Sequence, residues 1–224
     1  MDRVIETNWG ASPIEVDSYK DSLFIELSHT YYIQKVAAFL DTSMSGTAVD
    51  LGCGTGTLTD KLAETLPNLS FLGVDRSTVM QTYSNNIKAS STRASRLSFS
   101  TEDILTKTFD QTYDFVFSAN LLHHIPDPDE FWSVVNTVSA TGSKIFIVEF
   151  GRPSSIEELN SIKEKLDDHE DVTQFWNDAI NAMKSCFTVS ELTNQLTTAN
   201  LSQLNVEVTV SPEGFQNIFI YGEK

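Results

Sequence analysis

The chain has 224 residues with 31 acidic against 15 basic side chains, a formal charge of −16, and its 40% apolar content is that of one globular domain with a full core. So acidic a surface repels a phosphate backbone, which argues against nucleic-acid partners. No apolar run approaches about 18 residues and no basic start leads into a hydrophobic segment, so neither a membrane span nor a secretory signal is expected. Two cysteines, Cys53 and Cys186, show neither metal-ligand spacing nor a disulfide framework, and both read as unpaired thiols in a cytoplasmic setting.

In chain order, residues 14 to 40 read as one or two helices in which Leu23, Leu27, Tyr31 and the run KVAAFL supply an apolar face. From residue 47 short strand-like runs alternate with helical patterns: TAVDLG, FLGVD, LSFSTED, YDFVFSAN and KIFIVEF. That alternation predicts five βα units and a parallel sheet covered by helices on both faces. Leu58, Leu62 and Leu66 give the first crossover helix a buried stripe, and Pro67 stops it. Lys88, Arg93 and Arg96 form a sparse cationic cluster, read as a solvated helix end. Asp127, Pro128 and Glu130 make a helix start with cap, first-turn proline and capping-box glutamate, leaving residues 121 to 128 as a loop after the fourth strand. Beyond the fifth strand, Ser154 and Ser155 can cap a helix carrying Ile156, Leu159, Ile162 and Leu166. A second helical pattern holds Phe175, Trp176, Ala179, Ile180, Met183 and Phe187. Residues 157 to 171 carry seven acids against two lysines, most simply a solvated face and turn. A capped helix from Ser190 is followed by LNVEVTV and FQNIFIYGE, joined by a turn with Pro212 and Gly214, which makes an antiparallel pair at the sheet edge.

The stretch VDLGCGTGTLT, Val49 to Thr59, follows a strand and opens a helix, the context in which glycines let a nucleotide approach the backbone. The dinucleotide pattern G-x-G-x-x-G fails in both registers, with Thr57 or Thr59 at the third glycine position, which weighs against a nicotinamide oxidoreductase. A nucleoside without phosphate and with a positive charge suits the acidic surroundings better, and S-adenosylmethionine has these properties. Asp50 ends the first strand where a cationic amino-acid tail would lie. Asp75 ends the second, about twenty residues past the loop, the distance at which a carboxylate accepts ribose hydroxyls. Asp103 ends the third, placed for an adenine amine, with Ile104 beside it to cover the ring.

With these residues the sequence resembles the class I S-adenosylmethionine-dependent methyltransferases of small-molecule type. VDLGCGTG looks like their first motif, the Asp75 region like their second, Asp103 like the adenine position, and YDFVFSANLLHHIPD like the fourth strand and its loop. The resemblance implies a Rossmann-like seven-stranded, mostly parallel α/β sheet of order 3-2-1-4-5-7-6 with a helical lid. It implies S-adenosylmethionine as cofactor, S-adenosylhomocysteine as product, and cofactor contacts from Tyr19, Asp50, Gly52, Cys53, Gly54, Gly56, Asp75, Arg76, Asp103, Ile104, Asn120 and His124. The expected organisation is a single domain: a lid over 1–45, a cofactor core over 46–151, a substrate cap over 152–188, and a helix with closing strands over 189–224.

Methyl transfer needs an acceptor lone pair held in line with the methyl carbon, and a base only where the acceptor loses a proton. His123, His124 and Glu149 are the catalytic candidates, although the histidines can equally shape the cofactor pocket. Arg152 is a candidate for a substrate carboxylate or phosphate, and Phe175, Trp176 and Phe187 for an apolar substrate wall. Plain packing and a salt bridge are the alternatives for these four. SANLLHH lacks the two prolines of methyltransferases acting on planar nitrogens, and Asp127 with Asp129 falls in a helix start, so no metal is expected. The expected activity is methylation of O, N or C on a small biosynthetic metabolite, by a chain compatible with a homodimer. A catalytically silent cofactor-binding subunit is the alternative from outside the enzymes.

Overall fold

A computed structural model describes residues 1–5, 16–17, 23–167, 173–211 and 214–224. Its strands are β1 (Ser45–Leu51), β2 (Asn68–Asp75), β3 (Leu97–Thr101), β4 (Tyr113–Ala119), β5 (Ser139–Phe150), β6 (Asn205–Val210) and β7 (Gln216–Glu223). They form one seven-stranded sheet of order β3-β2-β1-β4-β5-β7-β6, the expected Rossmann-like topology. The pairs among β1 to β5 are parallel, and β7 runs antiparallel to both β5 and β6. Among the described residues the helices are α1 (Leu23–Phe39), α2 (Thr57–Thr65), α3 (Thr78–Ser90), α4 (Pro128–Val138), α5 (Ile156–Asp167), α6 (Thr173–Ser185) and α7 (Val189–Thr198).

The central strands are apolar at consecutive positions because both faces are covered. Phe115 and Phe117 of β4 pack with Phe146 and Phe219 beneath Tyr32 and Val36 of α1 and Leu58 and Leu62 of α2. Val116 between them points to the other face, with Ile145, Ile147, Phe131 and Trp132 of α4, and Leu192 of α7. The carboxyl ends of β1 to β5 therefore rise between two helical layers at one rim, where the site lies.

Several local expectations shift. In α1 the buried row is Ile25, His29, Tyr32 and Val36, continued by Leu40 just past its end, while Leu27 is 60% exposed. Apolar side chains stand nearly all round this helix, so spacing alone does not fix which row faces the sheet. The cationic cluster is not a solvated end. Arg93 pairs with Asp60, its Nε donating at 3.0 Å, and Arg96 donates to the carbonyls of Ala63, Leu66 and Leu69 at 2.6, 3.3 and 2.6 Å. Arg96 thus satisfies the open end of α2, which Pro67 cuts short. Helix α7 starts at Val189, one residue before Ser190, because Thr188 caps it in a reciprocal box with Glu191. At α4 the Asp127 carboxylate accepts from the Asp129 N–H at 3.0 Å, with Pro128 in the first turn. Tyr19, Pro212 and residues 168 to 171 of the acidic run lie outside the described residues. No helix among the described residues is long and apolar enough to cross a membrane.

Candidate functional site

One cavity opens at the carboxyl rim of β1 to β5 and is walled on its far side by α1 and α6. Its floor is the turn after β1. Gly52 and Cys53 donate their N–H groups to the Val74 carbonyl at 2.8 and 3.1 Å, clamping the turn to β2. Gly54 has φ +52, and a Cβ built on it would meet nothing closer than the Met80 sulfur at 3.9 Å, so its open side faces the cavity. Gly56, at φ +77, has no such room: a Cβ there would lie 2.8 Å from Phe99 and 2.9 Å from Ser84. Its absence from the cavity wall marks it as the residue that seats the turn on α3 and β3.

Three carboxylates border the floor. Asp50 is 2% exposed and accepts from the Thr59 hydroxyl at 2.6 Å. Burial pushes its carboxyl up to about 7, against the Thr59 hydrogen bond and with the neighbouring Asp75 charge. Asp75 accepts the Gly54 N–H at 2.9 Å and the Ser77 N–H at 2.8 Å, so it ties the glycine turn to the start of α3. Burial raises its carboxyl too, opposed by those two N–H groups. Asp103 accepts the Leu105 N–H at 2.9 Å, and Ile104 beside it lines the cavity. Cys53 lies within this acidic ring, and burial together with Asp50 and Asp75 holds its thiol well above its usual range.

Beyond β4 the wall carries the histidines. Asn120 adopts the left-handed region at φ 55, and its Oδ1 is buried with no hydrogen-bond partner among the described residues. A strained residue with an orphaned acceptor at a cavity rim suits a ligand donor that completes it. His123 is 2% exposed and shares a 2.7 Å hydrogen bond between its Nδ1 and Glu149 Oε2, while Glu149 Oε1 accepts the Leu122 N–H at 2.7 Å. Burial alone would lower the His123 imidazole, but the Cys186 sulfur and the Glu149 carboxylate outweigh it and hold it well above the usual range. His124, its ring centroid 4.1 Å from that of His123, is driven the opposite way by burial, by His123 and by Arg76, and stays neutral. Neighbouring imidazoles pushed apart in this way divide the roles of charged anchor and neutral acceptor.

His123, Glu149 and Cys186 have ligand atoms within 4.8 Å of one another, a donor set of metal-binding type. However, Arg3 donates to the His123 carbonyl at 3.1 Å and Arg152 to the Cys186 carbonyl at 3.1 Å, so two guanidinium groups flank the trio. Their charge disfavours a cation there and offsets the buried Glu149 carboxylate.

Of the residues singled out from the sequence, Asp50, Gly52, Cys53, Gly54, Asp75, Arg76, Asp103, Ile104, Asn120, His123 and His124 line this cavity, with Glu149 directly behind His123. Arg152 and Phe187 are not part of its lining. Arg152 is 8% exposed and its Nη2 donates to Glu191 at 2.6 Å, while Phe187 packs in the core beneath the Arg3 guanidinium. The side chains of Phe175 and Trp176, like Tyr19, lie outside the described residues. Sequence reading missed Ile25, His29 and Asp178, which line the far wall. Burial, and then Lys61, lower the His29 imidazole to about 4, so this wall is neutral there. Nothing in the local pattern of α1 distinguishes His29 from an ordinary core position.

The family model described as "Methyltransferase domain" matches residues 43–206. Among curated proteins, the chain is 33% identical to tocopherol O-methyltransferase of Arabidopsis thaliana over 101 residues, covering 45% of this chain and 29% of that one. It is 27% identical to phosphoethanolamine N-methyltransferase 2 of Caenorhabditis elegans over 118 residues, 52% of this chain and 26% of that one. The chain spans less than half the length of the curated relatives it matches. Among solved structures, the plantazolicin methyltransferase BpumL in complex with SAH superposes with a TM-score of 0.72 at 14% identity, covering 96% of this chain and 93% of that one. A SAM-dependent methyltransferase from Aquifex aeolicus gives a TM-score of 0.66 at 14% identity, covering 94% and 98%. At such identities these two are likenesses of fold.

Proposed function

The chain belongs to the methyltransferase-domain family, and from that premise we propose that it transfers a methyl group from S-adenosylmethionine to a small acceptor molecule. The observation that carries the reading is the ring of Asp50, Asp75 and Asp103 around the open Gly54 face in a single cavity. That donor set fits a nucleoside bearing a positive charge: a dehydrated carboxylate at Asp50 favours an ammonium, and an unpartnered Asn120 Oδ1 offers a further acceptor. It fits a dinucleotide poorly, because carboxylates ring the turn where a pyrophosphate would lie.

The bound cofactor supplies an electrophilic methyl carbon on a cationic sulfur. The rest of the chemistry falls to this chain. The turn from Gly52 to Gly54 and the carboxylates fix the nucleoside, while Ile25, Phe150 and Ala179 give the acceptor end an apolar lining. The Gly52–Gly54 turn and the three carboxylates would hold the cofactor so that its methyl carbon is presented to an acceptor lone pair at that end, with the neutral thioether as leaving group. An O–H acceptor becomes strongly acidic as it gains the methyl group, so even the weakly basic, neutral His124 suffices to take its proton, whereas an amine acceptor would keep the charge as an ammonium or lose its proton to water. Glu149 holds His123, and through the loop His124, in place. Arg152 is committed to Glu191 and Cys186, which favours acceptors without a carboxylate or phosphate.

On this reading the N-terminal segment to residue 45 is a lid, residues 152–188 cap the acceptor, and two cysteines outside any disulfide framework suit a cytoplasmic enzyme. The deciding measurement incubates the protein with methyl-labelled S-adenosylmethionine and a metabolite extract, and reads labelled products by mass spectrometry. Stabilisation by S-adenosylhomocysteine in a thermal-shift assay accompanies it. Stabilisation by NADH in its place, with no transfer, overturns the reading.

A further inference from the structure

We propose that Arg3 is a positioning residue of the acceptor end: its guanidinium fastens the loop after β4 to the C-terminal end of α6 and so sets where the His123 and His124 imidazoles stand. The inference rests on the transfer-site reading for its kinetic meaning, while its geometry stands alone. The Arg3 Nε donates to the Ser185 carbonyl at 2.6 Å. Nη1 donates to the Pro126 carbonyl at 3.2 Å, and Nη2 to the carbonyls of His123 and Ile125 at 3.1 and 3.0 Å. The guanidinium carbon lies 4.0 Å from the centre of the Phe187 ring, and the Val4 N–H donates to the Lys184 carbonyl at 2.9 Å.

The physical need is plain from the loop. Leu122–His124 is a single 3-10 turn, too short to satisfy its own trailing carbonyls, and α6 ends with Ser185. One planar fork supplies donors to both ends at once, and a lysine ammonium on a flexible stem cannot reproduce that geometry. The two segments joined are the two walls of the cavity: His123, His124 and Ile125 on one side, Ala179 and Ala182 on the other. Arg3 is not part of the cavity lining, so it acts through the loop.

The test needs no acceptor. The chain holds four histidines, so ring-labelled protein gives four imidazole signals, assigned by single substitutions at His29, His123, His124 and His169. His123 is faced by Glu149, Cys186 and His124, and His124 by His123 and Arg76, while Arg3 acts electrostatically on Cys186 and Glu149; loss of its charge alone would raise the His123 titration further, so a fall reports a displaced imidazole. Arg3→Ala is expected to move the His123 and His124 titrations by about one pH unit or more toward ordinary histidine, with His29 unmoved. Affinity for S-adenosylhomocysteine, held at the β1 to β3 rim, should change by less than about threefold. Unchanged His123 and His124 signals in Arg3→Ala overturn the proposal. Should that variant fail to fold, Arg3→Lys decides, since it keeps the charge and stem: a selective shift of the same two signals supports the proposal, and wild-type signals overturn it. Wild-type protein that binds no S-adenosylhomocysteine removes the functional reading and leaves this test intact.

Discussion

Asp50 is the residue whose ionisation should report ligand charge. Its carboxyl, raised by burial to about 7, keeps a proton that the unfolded chain releases near pH 4. The native state therefore binds more protons in that window, and folding stability should fall as pH rises from about 4 to about 7, then level off. A ligand cation beside Asp50 favours the charged form, so binding should expel a proton below about pH 7, and affinity should climb by up to about tenfold per pH unit toward it. Calorimetry at pH 6 in two buffers of different ionisation heat measures that proton, and heats independent of the buffer would show that no charge meets Asp50. Asp75 makes a second case. Both its oxygens hold backbone N–H groups of the glycine turn and of α3. Asp75→Ala should weaken S-adenosylmethionine by about 1.5 to 3 kcal/mol, the range of hydrogen bonds to a charged group. Unchanged affinity in a titration would place the ribose elsewhere.

Among the elements, the five parallel strands, the helices after β1, β2, β4 and β5, and the closing antiparallel strands were legible from local signals: continuous apolar strands, a proline stop, a turn at Gly214. The sheet order came with the family resemblance, and the helix expected between β3 and β4 is absent, residues 102–112 forming turns and bends alone. The acidic ring was legible from equally local signals, since each acid stands at or within two residues of a strand end. What the sequence hid depends on contacts between distant segments. Arg96 looks like one cation in a serine-rich stretch, yet it closes the end of α2, about thirty residues earlier in the chain, by binding three carbonyls. Arg96→Ala should lower stability by about 1 to 3 kcal/mol, because it leaves these partly buried carbonyls to find new donors. Lys88→Ala, which removes a charge from the last turn of α3, should alter it by no more than about 0.5 kcal/mol. Equal melting temperatures for the two variants would refute the capping role. Arg152 shows the same limit from the other side: its partner Glu191 became a neighbour only when the Thr188 box turned α7 beneath it.

Over the whole molecule, the formal charge of −16 acts at a range the individual carboxylates do not. An acidic surface around a cavity whose floor is also acidic draws in cations and repels anions before any contact forms. S-adenosylmethionine carries one positive charge more than S-adenosylhomocysteine, on the sulfur that loses the methyl group. The field should therefore speed capture of the substrate form over the product form, and the difference should shrink as salt screens it. Raising ionic strength from 0.01 to 0.15 M shortens the screening length from about 30 to about 8 Å. Stopped-flow association rates should fall severalfold for S-adenosylmethionine across that range and stay nearly level for the uncharged product. Parallel salt dependence for both ligands would mean that the surface charge serves solubility alone, and that discrimination between substrate and product rests with Asp50 and its neighbours inside the cavity.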